Sequence, residues 1–332
     1  MARTATRTLK AVFADYGPAS ALRNRTVVPA GFELEFVDTG TPVQGMARMV
    51  RDLEFDVVDM SPTTFLAARS LGVPLVALPI AMYTEFPHPL LWCNKAANVR
   101  EPGDLAGKNI GVRTWLNPAI VWLRGMLAEQ FGVELDTVQW TLTVEDPIAA
   151  VPLPPNARRS NTDPKAFTLL DMVKSGEVDA VIDALTLQWH HAVEQGKVDP
   201  TLVEPLFRDD AESTSALYRR FGYLPVMHLV VAKRATVEAH ADAVPALCAA
   251  FASAKRRYLD DLVRPSGIEL QDRAPWLIAR DRDNRDLLQL GLDPLPAGAG
   301  VVRTLDVLMN YMVRFGYLRD RLDVAAQFAV VD

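Results

Sequence analysis

The chain has 332 residues, 49% of them hydrophobic and 23% charged, with a formal net charge of -6 at pH 7. That composition belongs to a soluble globular protein long enough for two ordinary domains, and its acidic balance argues against a nucleic-acid surface. Two cysteines, Cys93 and Cys248, make no disulfide framework, and no stretch reaches the length of a membrane span.

The first twenty residues, MARTATRTLKAVFADYGPAS, are basic at the start but hold no apolar h-region. They do not read as a secretory signal, so a cytoplasmic protein is expected. Leu9 to Ala14 predicts a first strand ending at the turn Asp15-Tyr16-Gly17-Pro18. Phe32 to Val37 alternates strictly and predicts a second. A helix follows over Gln44 to Leu53, then a strand over Phe55 to Asp59. Ser61 is placed to cap a helix over Thr63 to Leu71, with Pro62 at its first position. Leu75 to Ile80 and Leu90 to Asn94 read as strands separated by Pro87-His88-Pro89.

Pro102 to Leu105 predicts a helical turn, and Asn109 to Val112 a buried strand ending at Arg113-Thr114. Pro118 opens a helix through Gln130, and Val138 to Leu142 is a strand. The proline-rich stretch Pro147 to Pro164 reads as a surface excursion. Val226 to Ala232 is a late strand, and from Ala235 onward the pattern is helical. Lys255-Arg256-Arg257 reads as an exposed helix turn.

One internal echo organises this order. GMARMVRDLEFDVVDMSPTTF (45–65) and LLDMVKSGEVDAVIDALTL (169–187) share an amphipathic helix, an acid (Glu54, Glu177), an Asp (Asp56, Asp179), a short apolar strand and a terminal acid (Asp59, Asp183). A short apolar run after a helix is a buried parallel strand. The polar turn behind it then lies at the strand's carboxyl end, where open α/β sheets bind ligands. Two such units imply two α/β lobes, each offering one polar turn to a shared cleft.

The order of elements resembles the type 2 periplasmic-binding-protein fold. More narrowly, FDVVDMSPTTFLAARS, the His88 segment with LLWCNK, DLAGKNIGVRTW, VWLRGMLAEQFGV, MVKSGEVDAVIDA, YRRFGYLPVMHLVVAKR and TLDVLMNYMVRFGYL resemble the 4,5-dihydroxyphthalate decarboxylase family, in family order. The resemblance implies an α/β protein with mixed sheets, two lobes and a ligand cleft between them. Residues 1–91 and 228–332 would form lobe one and 92–227 lobe two. It also implies a cofactor-independent carboxy-lyase acting on a hydroxylated aromatic carboxylate. The alternative on the same fold is a solute-binding protein for a small organic acid in transport or sensing. The chain departs from the family at Ser61-Pro62-Thr63-Thr64, at Ala184 to Leu187 and at Pro296 to Gly300. These are pocket positions, which leaves a different aromatic or small acid open as the substrate.

Removing a carboxylate from a hydroxylated ring needs a proton for the ring carbon and an electron sink in a ring hydroxyl. His88 and His228 are the candidate acid and base, because imidazole suits proton transfer near neutral pH. The family also places a His in the segment of His88. Arg113 and Thr114, before the Pro118 helix, are candidates to hold a carboxylate, with Arg124 two turns further on. Ser61, Thr63 and Thr64 could cap, bind an anion or both. Asp15, Tyr16 and Asp183 end strands facing the same cleft. The expected partner is a small aromatic carboxylate, not nucleic acid or membrane, and self-association is left open. No cofactor and no metal are expected. His190-His191 point about 100° apart on a helix, and Asp281 to Asp286 lacks the Gly and Glu of a calcium loop.

Overall fold

The computed structural model describes residues 6–14, 17, 19–163, 165, 167–183, 193, 199–207, 211–263 and 299–329. Asp15, Tyr16, residues 184–187, His190-His191, 281–286 and most of the loop at 296–300 lie outside this set. The chain divides into two compact units. Unit 1 comprises Met1–Glu85, Phe221–Asn310 and Asp320–Asp332, and unit 2 comprises Phe86–Arg220 and Tyr311–Arg319.

Unit 1 holds strands β1 (Arg7–Val12), β2 (Phe32–Phe36), β3 (Val57–Met60), β4 (Leu75–Thr84) and β11 (Val226–Lys233), in spatial order β2-β1-β3-β11-β4. β1 runs parallel to β2 and β3, and β11 runs antiparallel to β3 and β4. Helices α1 (Ala19–Arg23), α2 (Pro42–Asp52), α3 (Pro62–Ser70), α7 (Arg234–Ala239) and α8 (Ala243–Val263) accompany this sheet. Leu9, Phe32, Val57, Leu78 and Val230 meet Val244, Leu247 and Phe251 of α8 in one buried cluster. β4 continues four residues past the expected Ile80. It carries Pro79 at the sheet edge, where a missing N–H is tolerated, and its ladder with β11 contains register shifts.

Unit 2 holds β5 (Leu91–Asn94), β6 (Asn109–Val112), β7 (Gln139–Leu142), β8 (Ala157–Arg159), β9 (Ala180–Ile182) and β10 (Val203–Pro205), ordered β10-β5-β9-β6-β7-β8. β6 to β9 are parallel, while β5 is antiparallel to both β9 and β10. Helices α4 (Pro118–Phe131), α5 (Leu169–Ser175) and α6 (Ala211–Phe221) complete its main elements; the last residue of α6, Phe221, already counts with unit 1. The proline-rich excursion contributes β8, an edge strand, rather than loop alone. Helix α9 (Ala299–Arg314) counts with unit 1 through Asn310 and with unit 2 from Tyr311.

The two echoes occupy equivalent places. Asp56 and Asp179 each stand just before a strand and accept a hydrogen bond from the first backbone N–H offered by the parallel neighbour. Lys10 N donates to Asp56 at 2.9 Å and Asn109 N to Asp179 at 2.8 Å. Their own carbonyls accept from the antiparallel strand, from Lys233 N at 3.0 Å and Asn94 N at 2.8 Å. The same acid thus closes the start of the ladder on both sides in each sheet. Burial pushes the Asp56 carboxyl up, but hydrogen bonds from Thr236 and the Lys10 N–H, with the Lys233 ammonium, outweigh burial and hold it below its ordinary range.

The expected division put all of 228–332 in lobe one, whereas Tyr311–Arg319 packs with unit 2. Gly125 makes room for it: a Cβ there would run into the Tyr311 ring. Tyr311 crosses Trp122 edge to face at 5.8 Å and donates to Glu129 at 2.6 Å. Lys255, expected on an exposed turn, is buried in α8, while Arg256 and Arg257 are exposed.

Gly125→Ala is expected to cost about 1–3 kcal/mol through this clash, despite the better helix propensity of Ala. Gly103→Ala, where a Cβ meets open space, serves as the neutral control in urea unfolding. Equal midpoints for the two variants would contradict the close approach. A carboxyl held low in the folded state stabilises above its unfolded value of about 4, and that contribution is lost as pH falls through the folded value. Asp56→Asn is therefore expected to flatten the acid limb of stability against pH. An unchanged limb in pH-dependent equilibrium unfolding would remove Asp56 from it.

Candidate functional site

In unit 1 the carboxyl end of β3 runs directly into a capped helix. All four residues of β3 are buried, because it lies between β1 and β11. Ser61 Oγ accepts from Thr64 N at 3.2 Å, and Pro62 takes the first helical position of α3. Ser61 Oγ also donates to Thr64 Oγ1 at 2.8 Å and lies 3.2 Å from Thr63 Oγ1. The three hydroxyls are buried and tied to one another.

β11 brings His228 to this place. Leu229 pairs with Met60 and Val230 with Asp59, so His228 comes next on β11 as Ser61 comes next after the end of β3. On the other side of β11, His228 faces Tyr83, and the register with β4 shifts on both sides of it. Such bulges re-aim a side chain. His228 Nδ1 lies 2.8 Å from Asp59 Oδ1; the imidazole is 19% exposed and the Asp59 carboxylate 3% exposed. Asp59 was not among the expected site residues. Its signal was present as the acid ending the first echo, but only the antiparallel register of β11 pairs it with residue 228.

In unit 2, Arg113 and Thr114 follow β6, and Asp183 follows β9. Val112 and Ile182 are paired in the parallel ladder, so Arg113 and Asp183 leave the sheet side by side at its carboxyl end. Thr114 is buried, and Arg113 and Asp183 are half-buried. Among the described residues no carboxylate or carbonyl pairs with the Arg113 guanidinium. Its backbone carbonyl is held by Val144 N at 2.8 Å. Asn117 caps α4, with its Oδ1 accepting from Ala119 N at 2.9 Å. The buried carboxylate of Asp146 accepts from Leu116 N at 2.6 Å. Burial pushes this carboxyl up, against the Leu116 and Trp115 N–H groups and the charge of Arg159.

Two expected site residues have other surroundings. His88 follows β4 as expected, but its ring is buried at 3% exposure, edge to face with Phe86 at 6.3 Å and Phe207 at 6.1 Å. A proton donor at an open edge is not what this position provides. Two flanking prolines and the short helical turn His88–Leu90 turn the ring inward. Arg124, expected to contact substrate, is 4% exposed inside an aromatic cage. Its Cζ lies 4.4 Å from the Trp115 ring centre, 4.6 Å from Phe315, 5.3 Å from Trp140 and 5.4 Å from Tyr317. Nη1 donates to the Tyr317 hydroxyl at 2.9 Å. Burial pushes that hydroxyl up to about 12, against the pull of Arg124, so it remains a neutral acceptor. Tyr317 stacks on Trp115 at 5.1 Å. Arg124 thus fastens the segment Tyr311–Arg319 within unit 2.

No protein-family model matches the chain. It is 26% identical to a 4,5-dihydroxyphthalate decarboxylase from Comamonas testosteroni over 243 residues, which is 70% of this chain and 72% of the relative. A second 4,5-dihydroxyphthalate decarboxylase, from Pseudomonas putida, is 26% identical over 216 residues, 61% of this chain and 80% of the relative. The chain is similar to the 4,5-dihydroxyphthalate decarboxylases. Among solved structures, the alkanesulfonate-binding protein SsuA from Xanthomonas axonopodis pv. citri, bound to MOPS, matches with a TM-score of 0.59 at 14% identity, covering 98% of this chain and 99% of that one. The periplasmic aliphatic sulphonate binding protein SsuA from Escherichia coli matches with a TM-score of 0.58 over 97% of both chains, also at 14% identity. A mutant of DSZB in complex with biphenyl-2-sulfinic acid matches with a TM-score of 0.56 at 14% identity, covering 98% of this chain and 96% of that one. At such identities these likenesses establish the fold, which is the α/β fold of periplasmic binding proteins.

Arg124→Ala removes the cage's cation and its packing. It is expected to cost about 2–4 kcal/mol in urea unfolding followed by tryptophan fluorescence. An unchanged midpoint would mean that the aromatic segment is held by other contacts.

Proposed function

We propose that this chain is a carboxy-lyase that removes CO2 from a hydroxylated aromatic carboxylate such as 4,5-dihydroxyphthalate. The observation that carries the reading is the imidazole of His228, partly exposed at a strand irregularity beside the hydroxyl-lined turn at the carboxyl end of β3. The sequence similarity to two decarboxylases supports it. The required chemistry is modest. A proton adds to the ring carbon that bears the carboxylate, with electron density supplied by a ring hydroxyl or its phenolate. The carbon–carbon bond then breaks, its electron pair returns to the ring, and CO2 leaves. The net change is uptake of one proton, which solvent restores to the imidazole. His228 is the group proposed to handle that proton. His88, enclosed by phenyl rings, is given no step.

Arg113 is proposed as the contact for a carboxylate of the acid. A guanidinium at a strand's carboxyl end, with no carboxylate partner among the described residues, is suited to bidentate binding of one. The same feature favours a second reading, a solute-binding protein for a small organic acid, and the sulfonate-binding neighbours support that alternative.

CO2 release from 4,5-dihydroxyphthalate and a panel of hydroxybenzoates, measured beside thermal-shift binding, separates the two. Turnover is expected, with one deuterium at the vacated carbon in D2O. Thermal stabilisation without CO2 would establish binding and overturn the lyase. His228→Gln is expected to lower CO2 release by about 10²–10⁴ with binding retained. Arg113→Ala is expected to weaken binding of the acid by about 1.5–3 kcal/mol, and an unchanged Kd would remove Arg113 from the site.

A further inference from the structure

We propose that Asp59 is a positioning residue for His228: it holds the imidazole with Nδ1–H directed at the carboxylate, so that proton exchange with a ligand runs through Nε2. Its catalytic meaning rests on the decarboxylase reading above, but the tautomer it fixes does not.

The geometry assigns the roles unequally. Asp59 belongs to the central strand β3, with neighbours hydrogen-bonded on both sides. Its carboxylate is 3% exposed, and Val230 pairs directly opposite it. His228 belongs to the irregular end of β11, where the ladder to β4 loses register. Of the two, the carboxylate is the fixed point and the imidazole is the group in need of fixing. In an antiparallel pair the diagonal neighbours i and j±2 share a face and lie within reach of long side chains. Residue 228 is two before Val230, the partner of Asp59, which is how the 2.8 Å contact arises without distortion of β3.

A carboxylate only accepts, so the nitrogen it touches must carry the hydrogen. That hydrogen stays on Nδ1 whether the ring is neutral or charged. Nε2 is then the atom that gains and loses a proton. A buried acid behind an imidazole orients the ring and stabilises the imidazolium that forms, without being protonated itself.

The second sheet supplies an internal contrast. Matching Ala232 to Cys93 and Val57 to Ala180 through the two antiparallel ladders sets His228 against Pro89 and Asp59 against Ile182. The equivalent strand pair folds with apolar residues and no dyad, so the Asp59–His228 pair is not needed to build this strand arrangement.

The test uses the full chain labelled with ring-¹⁵N histidine, which has five histidines. The His228 signals are assigned by their loss in His228→Gln. The wild type is expected to give a protonated Nδ1 with a downfield, hydrogen-bonded proton, and a titrating Nε2. Asp59→Ala is expected to lose that proton, to shift the ring toward a tautomer mixture, and to lower kcat by about 10-fold or more with KM changed less than threefold. A wild-type ring with its hydrogen on Nε2 overturns the proposal without any variant. An Asp59→Ala protein that keeps the Nδ1–H signature and the wild-type kcat also overturns it. If the wild type releases no CO2, the decarboxylase reading fails separately, and the ring signals alone decide whether Asp59 positions His228.

Discussion

An aspartate placed just before a strand is the contact on which both sheets depend. Each sheet sets one antiparallel strand beside a parallel pair, and the first rung between three strands has backbone groups on both sides to satisfy. Asp56 and Asp179 meet that need in the same way, through the carboxylate toward the parallel neighbour and the carbonyl toward the antiparallel one. The Asp of the repeated Glu-x-Asp spacing is therefore the mark of a strand start.

From those starts the two sheets diverge by one residue. Three steps separate Asp56 from Asp59, and four separate Asp179 from Asp183. Side chains alternate along a strand, so the difference sends the two terminal acids to opposite faces. Asp59 meets a histidine; Ile182 occupies its equivalent place. At the end of the second sheet the polar groups are instead Arg113 and Asp183, side by side. One scaffold has thus been given an imidazole–carboxylate pair in one copy and a guanidinium in the other.

Much of this was legible in the amino acids. Thr41-Pro42, Ser61-Pro62 and Asn117-Pro118 each place a capping side chain before a proline, and each opens a helix. The short apolar runs Val57-Val58 and Ala180-Val181-Ile182 gave buried strands, each parallel to one neighbour, as expected of a short apolar run after a helix. Ser61, Thr63 and Thr64 follow β3 where the sequence places the capped turn, and His228 lies within the late strand. What escaped depends on register and on partners distant in the chain. His88 looks exposed because prolines flank it, yet Phe86 and Phe207 enclose it. Arg124 looks like a ligand contact until the rings of Trp115, Trp140, Phe315 and Tyr317 are brought around it. No spacing in the sequence relates residue 59 to residue 228.

The short stretch Tyr311–Arg319 has a consequence for the order in which the molecule can be made. Unit 2 is otherwise built from residues 86–220, so most of it leaves the ribosome long before its last component. Until then Gly125 faces an empty place in α4, and the Arg124 cation lacks the Phe315 and Tyr317 rings that complete its enclosure. A nascent chain can assemble the parallel strands of this unit early. It cannot complete the unit's interior until residues 221–310 have been made as well.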